Sequence, residues 1–315
     1  MKAFILQEAG SVDKLMTSEV ETPIIKSDEV LVKVVAISIN PVDVKARANE
    51  GILDWIFGKN RPVILGWDIS GIVSETGINV KNFKPGDEVF GMVNFFGNGK
   101  AYAEYVASPA THLTLKPGNV THQQAVATSM VASTAYQALV DVAQVRKGDN
   151  VLIHGASGGV GHLAVQIAKH LGAYVIATSS AKNKEFLLNM GADKHIDYTQ
   201  EKIEEVVKDV DIILDTVGGE TLMNSIHSIK DSGVIVTLPS PEIPQELLEE
   251  ASKKGVKLIF YMVESRKDTM DAIASLLKKG VVKPHIYKTF SFEEIREAHL
   301  EVETNRVVGK VVVTI

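Results

Sequence analysis

The chain has 315 residues, 45% of them hydrophobic and 23% charged, with a formal net charge of −6. That length can bury a sizeable core in one large or two ordinary domains, and the acidic balance gives no support to a nucleic-acid or anionic-membrane partner. There is no cysteine, which removes disulfides, thiol catalysis and cysteine-ligated metal together. No apolar run is long enough to span a bilayer. The opening MKAFILQEAG lacks a small-residue cleavage pattern, so no signal peptide and a cytoplasmic location are expected.

The first part of the chain is β-rich. EVLVKVVAISIN (Glu29 to Asn40) is a β-branched run, and DISGIVSETG and GDEVFGMV follow, each bounded by Gly, Pro or Asp. KPGD (Lys84 to Asp87) and KPGN (Lys116 to Asn119) read as turns, because proline presets φ and glycine accepts a positive one. Residues 1–121 are therefore expected to form a partly open, largely antiparallel β domain. Near Thr121 the texture turns small, apolar and helix-like. From Val151 the runs VLIH, YVIAT, KHIDY, DIILDTV, GVIVTL and VKLIFYMV alternate with amphipathic stretches such as VGHLAVQIAKHLG and AKNKEFLLNMG. That alternation predicts βαβ units and a parallel sheet over residues 122–264, an α/β domain covered on both faces. TMDAIASLLKKG predicts one more helix. The closing GKVVVTI predicts a strand that returns to the β domain, so that residues 265–315 complete it.

The most informative stretch is VLIHGASGGVG, which puts a strand before a glycine turn and a helix after it. Ala156-Ser157-Gly158-Gly159-Val160-Gly161 is an A-x-G-x-x-G variant of the dinucleotide fingerprint. Small residues at 156 and 158 let the backbone approach a pyrophosphate, and Gly161 lets the helix pack closely on the strand. The helix N-terminus then offers unpaired N–H groups to the phosphates. An NAD site carries Asp or Glu at the end of the second strand, holding the ribose 2′-hydroxyl. Here that place reads Ala177-Thr178-Ser179-Ser180-Ala181-Lys182-Asn183-Lys184, with no acid. Hydroxyls and lysines suit a 2′-phosphate, which a carboxylate would repel. The expected cofactor is NADPH, with Ser179, Ser180 and one or both of Lys182 and Lys184 on its phosphate.

With these motifs the whole chain resembles the zinc-independent medium-chain dehydrogenase/reductases of the quinone oxidoreductase and enone/alkenal reductase kind. SINPVDVKAR, GASGGVG, GADKHIDY, DTVGGE and GKVVVTI carry the resemblance. It implies a GroES-like, partly open β-barrel catalytic domain beside a Rossmann nucleotide-binding domain. It also implies Asn40 and Thr134 by the nicotinamide ribose and carboxamide, and Ala156 to Val160 on the pyrophosphate. Ser180, Lys184 and Tyr198 would surround the 2′-phosphate. Val217 and Gly218 would line the adenosine side, and Leu238, Pro239 and Ser240 with Phe260, Tyr261 and Met262 the nicotinamide. Zinc-dependent relatives carry Gly-His-Glu in the β domain, where this chain has Gly66-Trp67-Asp68, and a cysteine-rich loop that is missing after Gly91. No zinc is expected, since a tetrahedral site needs three or four ligands and Asp68 cannot supply them alone.

Without a Lewis acid, the chemistry left is hydride transfer to an acceptor activated by conjugation: an α,β-unsaturated ketone or aldehyde, or a quinone. An apolar pocket between the domains is expected, with Ile52, Trp55, Ile56, Trp67, Phe95 and Phe96 as walls or as plain packing. Asp43 and Lys45 follow the cofactor-facing Asn40. Alternation along a strand would put them on one side, either to stabilise an enolate oxygen or as a surface pair. Solvent, Tyr102 and Tyr136 are the other proton sources. Two further readings stay open: an enoyl-thioester reductase, and a catalytically weak NADPH-binding sensor or structural protein. VKLIFYMV (Val256 to Val263) reads as an apolar edge strand, which predicts a homodimer.

Overall fold

β-Branched runs become strands nearly where the sequence puts them. In the computed structural model, which describes residues 1–315, the first seven strands are β1 (Lys2–Leu6), β2 (Leu15–Glu19), β3 (Glu29–Ile39), β4 (Asp68–Thr76), β5 (Glu88–Met92), β6 (Tyr105–Pro109) and β7 (Leu113–Leu115). Six follow in alternation with helices: β8 (Asn150–Ile153), β9 (Tyr174–Ser179), β10 (Lys194–Asp197), β11 (Val210–Asp215), β12 (Ile229–Thr237) and β13 (Lys257–Phe260). Two close the chain, β14 (Ile286–Ser291) and β15 (Lys310–Thr314). No helix is long and apolar enough to cross a membrane.

The chain divides into two units, Met1–Ser133 with Glu264–Ile315, and Thr134–Val263. In the first, seven strands run in the order β14-β15-β3-β4-β5-β7, with β6 also on β3 and a separate β1-β2 pair. Every pairing is antiparallel except β14 with β15. The closing strand does return, pairing Val311 with Ile39 and Val313 with Ile37. The first boundary falls at Ser133, later than the Thr121 expected from texture. The residues after Thr121 belong to the first core, where Val126 and Ala127 pack with Ala36 and Val312.

In the second unit the order is β10-β9-β8-β11-β12-β13, all parallel. The chain order therefore reverses between β8 and β11. In an open parallel sheet a ligand binds beyond the carboxyl ends of the strands at such a reversal. Leu152, Ile213, Ile235, Leu222, Ile226 and Leu247 are among the residues that fill one face of this sheet. β13 is an edge strand, as VKLIFYMV predicted, and Leu258, Ile259 and Phe260 on it are half-buried.

Candidate functional site

The predicted nucleotide residues converge because parallel strands end on the same side. Ala156 to Val160 follow β8, Ser180 to Lys184 follow β9 and Tyr198 follows β10. Val217 and Gly218 follow β11, Leu238 to Ser240 follow β12, and Tyr261 and Met262 follow β13. The turns touch one another. A Cβ on Gly155, at φ +62°, would meet Thr216 Oγ1 at 2.5 Å and Val217 Cγ2 at 3.0 Å. One on Gly218, at φ +77°, would meet Ser240 Oγ at 2.7 Å. Asn183 Nδ2 donates to Ser157 Oγ at 3.1 Å. Asp215, fully buried, organises the far side by accepting from the Val217 and Gly218 amides and from Thr237 Oγ1 at 2.7 Å. Tyr261 donates its hydroxyl to Gln137 Oε1 at 2.8 Å. Phe260 and Met262 are half-buried beside it. Thr134 lies on the helix Ser129–Tyr136 and is buried.

The glycine turn fits a pyrophosphate on its own geometry. The helix Gly159–His170 begins at Gly158, whose extended backbone leaves the end without a side-chain cap. The Gly158 amide bonds to Gly155 O and the His162 amide to Gly158 O. The N–H groups of Gly159, Val160 and Gly161 lie in the first turn and have no carbonyl a turn earlier to bond. The three are free to receive phosphate oxygens, with the dipole in their favour. A Cβ on Gly161 would lie 2.4 Å from Gly155 O and 2.6 Å from Ala156 Cα, so only glycine lets the helix stand this close to the turn.

The end of β9 differs from expectation in two ways. Ser179 is only 2% exposed, and its hydroxyl is engaged by Ser180 O at 3.1 Å and by His195 Nε2 at 2.9 Å. Buried and committed, it is a poor phosphate ligand. Ser180 is half-buried, while Lys182, Lys184 and Tyr198 are exposed, and neither lysine is held in an ion pair. The sequence window after β9 holds no acid, yet β10 brings Asp197 opposite Ser179. Asp197 is turned back on its own loop, accepting from Thr199 N at 3.0 Å and Thr199 Oγ1 at 2.8 Å. Those bonds, with His195 and the Ala181 amide, hold its carboxyl below the usual range against the cost of desolvation. His195 and Asp197 were missed because adjacency of the third strand to the second is a property of the sheet order.

In the first unit, the SINPVDVKAR segment is a helix after its first residues, Pro41–Ala48, which corrects the strand alternation expected for Asp43 and Lys45. Pro41 stands at the first helical position, and Asn40 and Asp43 form a reciprocal capping box. Two residues apart on a helix point to different sides. Asp43 is therefore fully buried and Lys45 exposed, so the two form neither a joint catalytic face nor a surface pair. Asn40 is buried as well, with its amide N–H on Asp43 Oδ2 at 2.6 Å and its Nδ2 on Asp68 Oδ2 at 2.8 Å. Asp68 also accepts from Ser38 Oγ at 2.6 Å and from the Met130 amide at 2.8 Å. The charge opposite is Lys310, whose ammonium donates to Asn40 Oδ1 at 2.6 Å and Ile39 O at 2.7 Å.

Electrostatics follow from this burial. Desolvation pushes the Asp43 carboxyl up to about 8, opposed by the Asn40 amide and aided by the Asp68 charge. Desolvation also raises Asp68, although the Lys310 ammonium, Ser38 and Asn40 favour its charged form, and it lowers Lys310. A lysine thus neutralises this carboxylate pocket, and no group of three His, Asp or Glu side chains is arranged to hold a metal. Sequence reasoning passed over Lys310, although the register of Val311 on Ile39 puts it next to Asn40. Tyr102 is fully buried with its hydroxyl 2.9 Å from His299 Nε2, so it offers no exposed proton.

The expected pocket walls separate into core and surface. Trp67 has no exposed surface, stacks on Phe57 at 5.7 Å, meets Phe95 edge-on at 5.2 Å and gives its indole N–H to Gly97 O at 2.7 Å. It is a core residue, which corrects its reading as a pocket wall. Ile52 and Phe95 are half-buried, and Phe95 N donates to Ser265 Oγ at 3.0 Å. Trp55 is 59% exposed and lies 4.5 Å from the Phe96 ring.

Residues 26–118 match the alcohol dehydrogenase GroES-like domain and residues 190–313 the zinc-binding dehydrogenase family. NAD(P)H oxidoreductase RTN4IP1, mitochondrial, of Mus musculus is 34% identical, over 100% of this chain and 89% of that protein. The chain belongs to the medium-chain dehydrogenase/reductase family. Within it, this chain is similar to the quinone oxidoreductase and alkenal/one reductase group. NADPH-dependent alkenal/one oxidoreductase, chloroplastic, of Arabidopsis thaliana is 33% identical over 99% of this chain and 79% of that protein. The solved quinone oxidoreductase of Coxiella burnetii shares 34% identity at a TM-score of 0.93, covering 100% of this chain and 99% of the other. In this member of the family, Trp67 and Asp68 fill the Gly-x-x place of the β domain with a packed indole and a carboxylate bound by Ser38, Asn40 and the Met130 amide.

Proposed function

We propose that this chain is an NADPH-dependent reductase that passes hydride to an α,β-unsaturated ketone or aldehyde, or to a quinone, without zinc. The observation that carries the reading is the uncapped helix start at Gly158, with its free amides, beside two lysines outside any ion pair. NADPH, when bound, supplies the hydride. The amides of Gly159, Val160 and Gly161 receive the pyrophosphate, with Ala156 and Ser157 forming the turn beneath. Ser180, Lys182, Lys184 and Tyr198 serve the 2′-phosphate. Val217, Gly218, Leu238, Ser240, Phe260, Tyr261 and Met262 line the remaining rim and Thr134 serves the nicotinamide side, whereas Asn40, buried with both ends of its side-chain amide bonded to Asp68 and Lys310, is held in the structure of the first unit. Asp43 acts on Asn40 by capping its helix rather than on substrate. Lys45, exposed, remains the group able to stabilise an enolate oxygen, and solvent delivers the final proton. Ile52, Trp55 and Phe95 are assigned to the acceptor side.

The test is NADPH consumption with a panel of 2-alkenals and quinones, alongside parallel titrations of NADPH and NADH. Oxidation of NADPH by at least one conjugated acceptor, with tighter binding than NADH, is expected. Tight NADPH binding with no acceptor turned over would overturn the reductase reading. A homodimer joined along β13 in the cytoplasm belongs to the same proposal. It rests on the half-buried apolar edge strand, and sedimentation velocity giving a monomer at micromolar protein would remove the dimer.

A further inference from the structure

Ser179 and His195 form an arrangement that binding of the pyrophosphate does not require. A serine hydroxyl has one proton to give. Directed to Ser180 O at 3.1 Å, it leaves a lone pair for the Nε2–H of His195 at 2.9 Å. The ring is then protonated on Nε2, and Nδ1 makes no hydrogen bond within the chain. The register pairs His195 with Ala177 and Asp197 with Ser179, so the imidazole stands one strand from where a carboxylate would grip a ribose 2′-hydroxyl. The charged groups facing it come from three places. Burial lowers its proton affinity most, Lys184 from the helix between β9 and β10 lowers it further, and Asp197 and Glu201 oppose them. Burial thus favours the neutral imidazole in the free protein.

We propose that His195 is a specificity-determining residue: it takes a proton from solvent on Nδ1 as a 2′-phosphate dianion binds beside Ser180 and Lys184, so that preference for NADPH over NADH grows as pH falls. The proposal rests on the NADPH reading above. A dianion bound beside Ser180 and Lys184 would favour the imidazolium, whereas NADH brings no charge to this place. Lysines do not titrate below about pH 9 and a phosphate monoester keeps most of its second charge above about pH 6.5. His154, buried behind the turn with its imidazole pushed down to about 4, is silent in this window. Among the groups named around the 2′-phosphate place, the His195 imidazole is the one left to change charge; Asp43, raised to about 8, belongs to the other unit.

The experiment is calorimetric titration of the full chain with adenosine 2′,5′-bisphosphate and with 5′-AMP at pH 6.5 and 8.5, in two buffers of different ionisation heat. The bisphosphate should bind about fivefold tighter at the lower pH with net proton uptake, while 5′-AMP stays unchanged. His195→Gln should abolish the uptake and the pH dependence yet keep the bisphosphate tighter than 5′-AMP through the lysines. Bisphosphate binding tighter than 5′-AMP without proton uptake by the unmodified chain, or full uptake in His195→Gln, overturns the role of His195 alone. Bisphosphate binding no tighter than 5′-AMP at either pH overturns the NADPH reading, and the proposal with it.

Discussion

Replacing Gly161 by alanine adds one methyl group where three backbone atoms already stand. The new Cβ would lie 2.4 Å from Gly155 O, 2.6 Å from Ala156 Cα and 2.8 Å from Ala156 C. Opening 2.4 Å to the 3.4 Å of ordinary contact moves the helix off the turn by about 1 Å. None of the three atoms is the end of a flexible side chain, so the upper half of the overpacking range applies, about 2–3 kcal/mol. Alanine returns about 1 kcal/mol of helix propensity. The net loss is about 1–2 kcal/mol, a fall of about 2–3 °C in Tm for a chain of 315 residues. The same shift separates the turn from the amides of the first helical turn, and NADPH affinity should drop about tenfold or more. Gly158→Ala is the matched control. Gly158 has φ −77° and its Cβ would meet only Gly155 O at 3.3 Å, so stability should stay within about 0.5 kcal/mol. Its affinity should still fall, because the methyl occupies the pyrophosphate approach. Calorimetry and fluorescence titration read both quantities, and a Gly161→Ala protein with unchanged Tm and unchanged NADPH affinity refutes the reasoning.

Lys310→Met leaves Asp68 buried without its cation and should cost about 3–5 kcal/mol, with part recovered in Lys310→Met/Asp68→Asn; an additive pair measured by denaturant unfolding would remove the coupling. Folded Asp43 keeps its proton to about pH 8 while the unfolded chain releases it near 3.8. The folded state binds more protons between those values, so this group's stabilisation, full below 3.8, is lost as pH rises to about 8. Asp43→Asn should flatten that slope in melting curves from pH 5 to 8.5, and an unaltered slope counts against it. Lys184→Ala should weaken NADPH about tenfold, the scale of one charge-assisted hydrogen bond, and leave NADH nearly unchanged; equal losses in the two titrations would contradict a phosphate role. Trp67→Ala should cost about 3–5 kcal/mol as a core truncation. Trp55→Ala, at an exposed site, should leave stability within about 0.5 kcal/mol and raise the KM for acceptor; a large stability loss there would make Trp55 a core residue instead.

What could be read from the chain follows the range of the interactions involved. Period, punctuation and the glycine turn are local, so the alternating strands and helices, the uncapped helix start and the returning GKVVVTI strand were legible. The strand expected through Asp43 and Lys45 extended the β-branched rhythm of Glu29–Ile39 past Asn40, although Pro41 and the Asn40–Asp43 capping pair are local helix-start signals that outweigh it. His195 and Lys310 are different in kind. His195 reaches Ser179 only because the sheet order sets β10 against β9, and Lys310 reaches Asn40 across 270 residues of chain. Yet Lys310 carried a trace in the sequence. It is a cation at the head of an apolar strand whose neighbours all turn inward, and a charge in such a place is kept only by a partner. Asp68 showed the same mark, an acid between Trp67 and Ile69, both fully buried. Two opposite charges, each out of place in its own strand, point to a shared buried pocket rather than to paired strands: β3 lies between β15 and β4, with Asn40 just beyond its end. The pocket they share is held together through Asn40, whose side-chain amide bonds Asp68 on one end and the Lys310 ammonium on the other.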